Sequence, residues 1–299
     1  MSAPVGITVG CPCGEVYELK PEYAGALLEC PECGRHLRAP RPGYRPPAPA
    51  DLDPVFDRDV FLLNQRAFTI SSQYEVWSED GKPLLYVERP TYPVRTALAY
   101  LLGFMAGTMA FSWTASAARY VGAELTPLVL FVAIGVAAAA LLVVSMSARP
   151  VRHVTVFRDE SRSEPLLRIL QEQRVAVLAR TYSVVTPSGE RLGRFRKVYV
   201  HNLIRKRWYV QGGDGASRGR AVEDSIVLSL LRRLLGTFFG ILRTNFLIVS
   251  DDGEVLGEFN RKFTLFDRYV LDLSADVDRR LDRRLALTLG IMLDSGERR

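Results

Sequence analysis

The sequence predicts a mainly β protein. It reads as a closed antiparallel β-barrel around a C-terminal hydrophobic helix, interrupted by a transmembrane helical hairpin and preceded by a small N-terminal cysteine-rich segment. Three observations carry that prediction. Two long uncharged apolar runs lie between Arg95 and Arg149, a hairpin-like motif recurs on both sides of them, and all four cysteines fall between residues 11 and 33 in two tight clusters.

Composition sets the bounds. A chain of 299 residues has room for about two compact units beside a helical hairpin. With 48% hydrophobic and 24% charged residues it is globular in character, and nothing compels a large part to be disordered. The net charge of +6 favours anionic partners, either lipid headgroups or nucleic acid, and beside a membrane hairpin lipid is the nearer one. No cleavable signal peptide is expected, because Cys11, Pro12 and Cys13 break the first apolar stretch, so the hairpin itself would direct insertion.

Residues 1–39 hold all four cysteines. Cys11-Pro12-Cys13-Gly14 and Cys30-Pro31-Glu32-Cys33-Gly34 are two tight turns whose thiolates together suit tetrahedral Zn²⁺, with glycine where the chain folds around the metal. The candidate ligands are Cys11, Cys13, Cys30 and Cys33, and the segment, residues 1–39, resembles the small zinc ribbons. The first cluster is one residue shorter than a Cys-x-x-Cys knuckle, which leaves His36 as a possible substitute ligand. On a cytoplasmic face the thiols stay reduced, so two disulfides are disfavoured. The metal would be structural, standing in for a core that so short a segment cannot build, with recruitment of a protein partner as the alternative use. Glu15, Glu18, Glu22, Glu29 and Glu32 outnumber Lys20, Arg35 and Arg38, a poor surface for phosphates, so nucleic acid is disfavoured as a partner. Residues 40–54 hold six prolines and read as an extended, semi-rigid linker rather than a Pro-rich docking motif.

Residues 55–93 and 149–299 read as two parts of one barrel. Tyr74 to Leu84, Tyr182 to Leu192 and Phe246 to Leu256 share an aromatic, a glycine seven positions later and a leucine three after that. Asp80-Gly81, Ser188-Gly189 and Asp252-Gly253 supply the turns, and β-rich residues flank them, so each segment reads as a β-hairpin. The stretches around Val154, Val156 and Leu166 to Leu170 add further strands. Between the parts, residues 94–148 form the transmembrane hairpin. Thr96 to Ala118 and Leu125 to Ala148 carry no charged side chain, and each is long enough as a helix to cross about 30 Å of hydrocarbon. Arg89, Arg95, Arg149, Arg152 and Arg158 flank the runs, against Arg119 and Glu124 in the loop, so the positive-inside bias places both soluble parts in the cytoplasm and the protein at the cell membrane. Ala99, Gly103 and Gly107 face the task of close packing with Ala133 and Ala137 within the hairpin.

At the end of the chain a helix is expected to start near Ser274 as its cap. It has a charged half, Asp278-Arg279-Arg280-Leu281 and Asp282-Arg283-Arg284-Leu285, and an uncharged half to Leu293. The apolar half is about 14 Å long, too short for a bilayer, and a helix apolar all round must be surrounded, so the sheet should enclose it with the Asp/Arg half projecting from one mouth.

Phe61-Leu62-Leu63-Asn64-Gln65, Tyr74-Glu75-Val76-Trp77-Ser78-Glu79-Asp80-Gly81, the stretch from Asn245 to Gly257 and the Leu-rich terminal helix resemble the phospholipid scramblase and LURP-one-related family. The resemblance covers residues 55–90 and 151–293 and implies the tubby C-terminal fold, a twelve-stranded antiparallel barrel around a hydrophobic C-terminal helix. Three departures bear on function. Asn260, Arg261 and Lys262 stand where animal scramblases carry acidic calcium ligands, the palmitoylated cysteine cluster of that family is missing, and a transmembrane hairpin interrupts the barrel. Ca²⁺ is therefore not expected as a cofactor.

No nucleophile, phosphate-loop or zinc-hydrolase motif surrounds His36, His153 or His201, so the reading is not an enzyme. Gly212-Gly213-Asp214-Gly215 reads as a hairpin tip. Nine Lys or Arg lie between Arg191 and Arg220 against Asp214 alone, and Arg194, Arg196, Lys197, Arg205, Lys206 and Arg207 are the candidate contacts for anionic lipid headgroups, against the plainer alternative of a solvated strand face. Ser225 to Arg243 reads as a helix covering the barrel end, or one lying in the membrane interface. The function expected is a membrane-anchored lipid- or partner-binding module, with lipid scrambling between leaflets or a scaffold recruiting a protein through the ribbon as alternatives.

Overall fold

The structure is a computed structural model that describes residues 7–41, 46, 51–65, 72–176, 178–201, 205–223, 246–262 and 268–295. The segment Ser225 to Arg243 lies outside the described residues, as does most of the proline-rich stretch between Pro42 and Ala50. The chain forms two compact units. One holds the cysteine module and the β-strands, and the other is built on Pro90–Arg152.

The cysteine module consists of two small antiparallel sheets, β1 (Ile7–Gly10) with β2 (Val16–Leu19) and β3 (Leu27–Glu29) with β4 (His36–Arg38). The barrel follows as β5 (Val60–Gln65), β6 (Ser72–Trp77), β7 (Pro83–Arg89), β8 (Val154–Phe157), β9 (Pro165–Gln171), β10 (Ala179–Val185), β11 (Arg191–Val198), β12 (Arg207–Gly212), β13 (Ser217–Glu223), β14 (Phe246–Val249), β15 (Val255–Lys262) and β16 (Arg268–Asp272). These twelve strands run in sequence order, and β16 pairs back onto β5, so the sheet closes on itself and, among the described residues, the barrel leaves no edge strand. The closed antiparallel barrel expected from the repeated hairpins is thus present, and β7 and β8 remain neighbours although the helices separate them in sequence.

The recurring motif has a physical origin. In each copy the residue four after the aromatic opens a tight turn: Ser78 N–H bonds Lys82 O at 2.9 Å, Thr186 N–H bonds Glu190 O at 2.9 Å, and Ser250 N–H bonds Glu254 O at 2.9 Å. The glycines that close the turns, Gly81, Gly189 and Gly253, sit at φ of 74°, 90° and 86°, where a side chain would be strained. The aromatics Tyr74, Tyr182 and Phe246 point into the core. A fourth copy spans Trp208 to Gly215, with the same bond from Gly212 N–H to Ala216 O; Arg218 replaces the leucine and hides it from the pattern.

Helix α3 (Arg283–Ser295) is buried along its whole length, packed among Phe61, Tyr74, Phe195, Phe259 and Leu271. Gly193 on β11 lets it approach, since a Cβ there would lie 2.8 Å from the Leu285 side chain. Two expectations are corrected at its start. The helix begins at Arg283 rather than near Ser274, because Asp276 accepts bonds from Arg280 N–H (2.9 Å) and Leu281 N–H (3.0 Å) and holds the preceding residues in turns. Asp282, not Ser274, accepts from the first turn, at Arg284 N–H (2.7 Å). The Asp/Arg half lies at the barrel mouth, as expected, but only Arg280 in it is exposed, and the other arginines are paired against the barrel. Arg283, 3% exposed, pairs with Asp276 at 2.7 Å and Asp59 at 2.8 Å, and Arg279 pairs with Asp57 and Asp59. The end of the expected linker also belongs to the barrel: Arg284 bonds Asp51 at 2.9 Å, Leu52 packs on the core, and Asp53 caps the Pro54–Phe56 turn.

In the second unit α1 (Pro93–Ser116) and α2 (Thr126–Ala148) pack along the predicted stripe of small residues. A Cβ on Gly103 would lie 2.7 Å from the Leu141 carbonyl oxygen, and one on Gly107 would lie 3.0 Å from that of Ala137. Within this unit Leu101, Phe104, Met109, Phe131, Ile134 and Val143 are exposed. Both helices are long and apolar enough to cross a membrane.

Candidate metal centre and basic barrel face

The four cysteines converge, with their sulfurs all within 4.8 Å of one another. Cys11 and Cys33 sulfurs are 3.5 Å apart and those of Cys13 and Cys30 are 3.7 Å apart. These are not disulfide distances, and four sulfurs about 2.3 Å from one ion in a tetrahedron would stand about 3.8 Å apart. The donor set therefore fits a thiophilic metal.

The short first cluster is explained by its turn. Cys11-Pro12-Cys13-Gly14 is the same kind of hairpin turn as those of the barrel, with Cys11 N–H bonded to Glu15 O (2.7 Å), Gly14 N–H to Cys11 O (2.9 Å), and Gly14 at φ 102°. Pro suits the second turn position and Gly the fourth, and the β1–β2 register is closed with one residue fewer than in the Cys30 to Gly34 turn. Cys13 thus reaches the site without a second spacer residue. His36 is not in the sulfur cluster; its backbone forms a bridge to Glu254 of the barrel.

The site favours thiolate unevenly. The Tyr17 hydroxyl lies 3.1 Å from the Cys30 sulfur, and its hydrogen bond, helped by the Glu32 and Cys33 N–H groups, lowers the Cys30 thiol to about 6. The same contact raises Tyr17. Burial pushes the Cys11 and Cys33 thiols up. A cation among the sulfurs would offset that burial cost and favour the remaining thiolates. Tyr17 was not legible as part of the site, because nothing in its spacing marks it apart from any strand aromatic.

The module shares its interior with the barrel. Cys11 and Cys30 are buried with Ile7, Val9, Leu37, Ala39 and the barrel residue Val255. Arg38 of β4 grips Glu254 with two parallel bonds of 2.9 Å, and Arg280 adds a third at 2.8 Å.

The six basic candidates do not form one patch. Arg194 and Arg196 do share the outer face of β11, opposite Gln211 and Tyr209, and Tyr209 is opposite Arg220 on β13. Lys197 instead pairs with the inward-facing Trp208, its ammonium 5.1 Å from the ring centroid. Arg205 donates to the Glu223 carbonyl, and Lys206 N–H donates to the buried Glu223 carboxylate at 3.3 Å. Arg205, Arg207 and Arg220 line a groove of about 290 Å³ whose other walls include Val222, Leu247 and Val249. Arg220, within the basic stretch but not among the six, joins them only through the register of β12 on β13. No protein-family model matches the sequence, and no curated protein matches it significantly.

Proposed function

We propose that this protein is a non-enzymatic, membrane-anchored binding module. In this reading a cytoplasmic barrel of the tubby-like, scramblase-related kind holds anionic lipid headgroups on its outer basic face, α1 and α2 tether it to the cell membrane, and Zn²⁺ on Cys11, Cys13, Cys30 and Cys33 stabilises the N-terminal module. The observation that carries it is the groove of Arg205, Arg207 and Arg220 beside Arg194 and Arg196, where guanidinium charge gathers on the outer face and suits an anionic phosphate. The twelve antiparallel strands around an enclosed terminal helix support the fold assignment. The sulfur spacing supports Zn²⁺, and the arginine-rich flanks of the helices support cytoplasmic placement.

The tether is short, residues 90–92 on one side and 149–153 on the other. Near an anionic surface each exposed basic residue contributes about 1 kcal/mol, attenuated by salt. Because β7 and β8 are paired, a short linker can replace the hairpin without parting them. That soluble form should bind vesicles of anionic phospholipid and release them at high salt, and R196A/R207A/R220A should abolish binding. Equal binding to purely zwitterionic vesicles would sink the proposal. In reconstituted vesicles the full chain should leave labelled lipid in its original leaflet with or without Ca²⁺; rapid exchange would promote the scrambling alternative.

A further inference from the structure

We propose that Glu254 is a latch: it couples metal occupancy of the cysteine module to the β14–β15 hairpin, so that metal loss frees the hairpin edge that borders the basic groove. This rests on reading the sulfur cluster as a metal centre.

The Glu254 side chain is only 2% exposed, so its carboxylate depends on its partners for charge compensation. Those partners come from two places. Arg280 belongs to the turns that precede α3, and Arg38 belongs to the cysteine module. Arg38 is held for the task, donating also to the Gly25 carbonyl at 3.1 Å and lying 3.4 Å from Asp278. Its strand, β4, starts three residues after Cys33, and the partner strand β3 ends one residue before Cys30. The hairpin that carries Arg38 at its open end, opposite Leu27, therefore has two of the four sulfurs in its connecting turn.

Among the described residues, the module has little besides the sulfurs and the His36 bridge to Glu254 to hold that hairpin. Its sheets have two strands each, of three or four residues, and isolated pairs of that size are not stable. Its interior is a few apolar residues, two sulfurs and Val255 borrowed from the barrel. Without the metal the module loses its cross-link, and Arg38 loses its fixed position. Glu254 then keeps one cation where it had two, next to an uncovered Val255.

The consequence reaches the basic face because the same hairpin serves both. Glu254 and Val255 face the module, Val249 packs against the module and also borders the groove, and Leu247 and Gly253 line the groove with Arg205, Arg207 and Arg220. A bound metal thus holds one wall of the groove, and by linkage the latch must in turn strengthen metal retention.

The test uses the full chain in detergent, with Zn²⁺ as the probe metal. E254Q keeps the side-chain size and a carbonyl acceptor but removes the charge, and it lies outside the cysteine module. Zinc should pass from E254Q to a competing chelator at about tenfold lower chelator concentration than from the unaltered chain, within the usual range of coupling between sites. Backbone hydrogen exchange at residues 250–257 should speed up several-fold both in E254Q and in the zinc-stripped parent, while β7 to β9 stay unchanged. E79Q, at the matching turn of the β6–β7 hairpin, should alter neither. An unchanged chelator midpoint for E254Q, or stripping of zinc with no change at 250–257, overturns the latch. A chain that binds no zinc overturns the metal reading, and with it the coupling.

Discussion

The protein contains two kinds of apolar helix, and they solve the same problem in opposite ways. Helix α3 has 13 residues, all buried, and the barrel wraps it on every side. Helices α1 and α2 have 24 and 23 residues, bury only Ala99, Gly103, Gly107, Ala133 and Ser145, and leave most large apolar side chains uncovered. Length separates them: at about 1.5 Å per residue α3 is too short for a bilayer, whereas the other two are long enough. Charge separates them further. The protein-enclosed helix carries Arg283, Arg284 and Asp294, each with a partner, because a folded interior can supply fixed counter-charges for the arginines and a hydroxyl donor, Tyr74, for Asp294. The long helices have no charged residue between Thr96 and Ser116 or along α2, as expected where the surround is the lipid we propose for them and offers no partner.

The comparison can be broken most directly at Arg283. Arg283→Ala would leave Asp276, whose side chain is 1% exposed, without its charge partner, and should cost about 3–5 kcal/mol in denaturant unfolding of the barrel. A loss below about 1 kcal/mol would mean that this mouth of the barrel is solvated.

Next in size is the reverse experiment, a charge placed where none occurs. Met109→Arg, on the uncovered side of α1, should disfavour membrane insertion by about 2.5–3.5 kcal/mol, read as a lower inserted fraction in a glycosylation reporter. Normal insertion would indicate a protein surround for α1. A reporter at Gly122 and one at the C-terminus should also fall in opposite compartments.

A smaller effect tests packing within the pair. Gly103→Ala forces a methyl toward the Leu141 carbonyl and should cost about 1–3 kcal/mol of helix-pair stability, whereas Gly122→Ala, in open space, should cost little. Cross-linking yield between the two helices measures the difference.

The smallest effect is acid sensitivity at the barrel mouth. Bonds from Arg284 to Asp51 and from Arg158 to Asp53 hold both carboxyls below the ordinary carboxylate range. A carboxyl depressed in the folded state contributes stability above its unfolded value, near 4, and loses it as pH falls through the folded one. The thermal midpoint of the barrel should therefore decline in acid below about pH 4. A midpoint that rises there would refute the pairing.

What the sequence by itself determined was local. Asp80-Gly81 and Asp252-Gly253 marked turns because only glycine relieves the positive φ that those hairpins need, and alternating apolar residues around them set the inward face. The uncharged runs set two helices of membrane-crossing length, and the paired cysteine turns brought four sulfurs together. The tertiary structure alone decided the rest. It started α3 at Arg283, turned Lys197 onto Trp208, bound Asp51 to Arg284 and buried Glu254 between Arg38 and Arg280. Periodicity and turn chemistry act within about ten residues, so they carry strands and turns. The partners of Glu254 and Asp51 lie as far as 216 and 233 positions away, and no local pattern can encode which charge will meet which once the barrel closes.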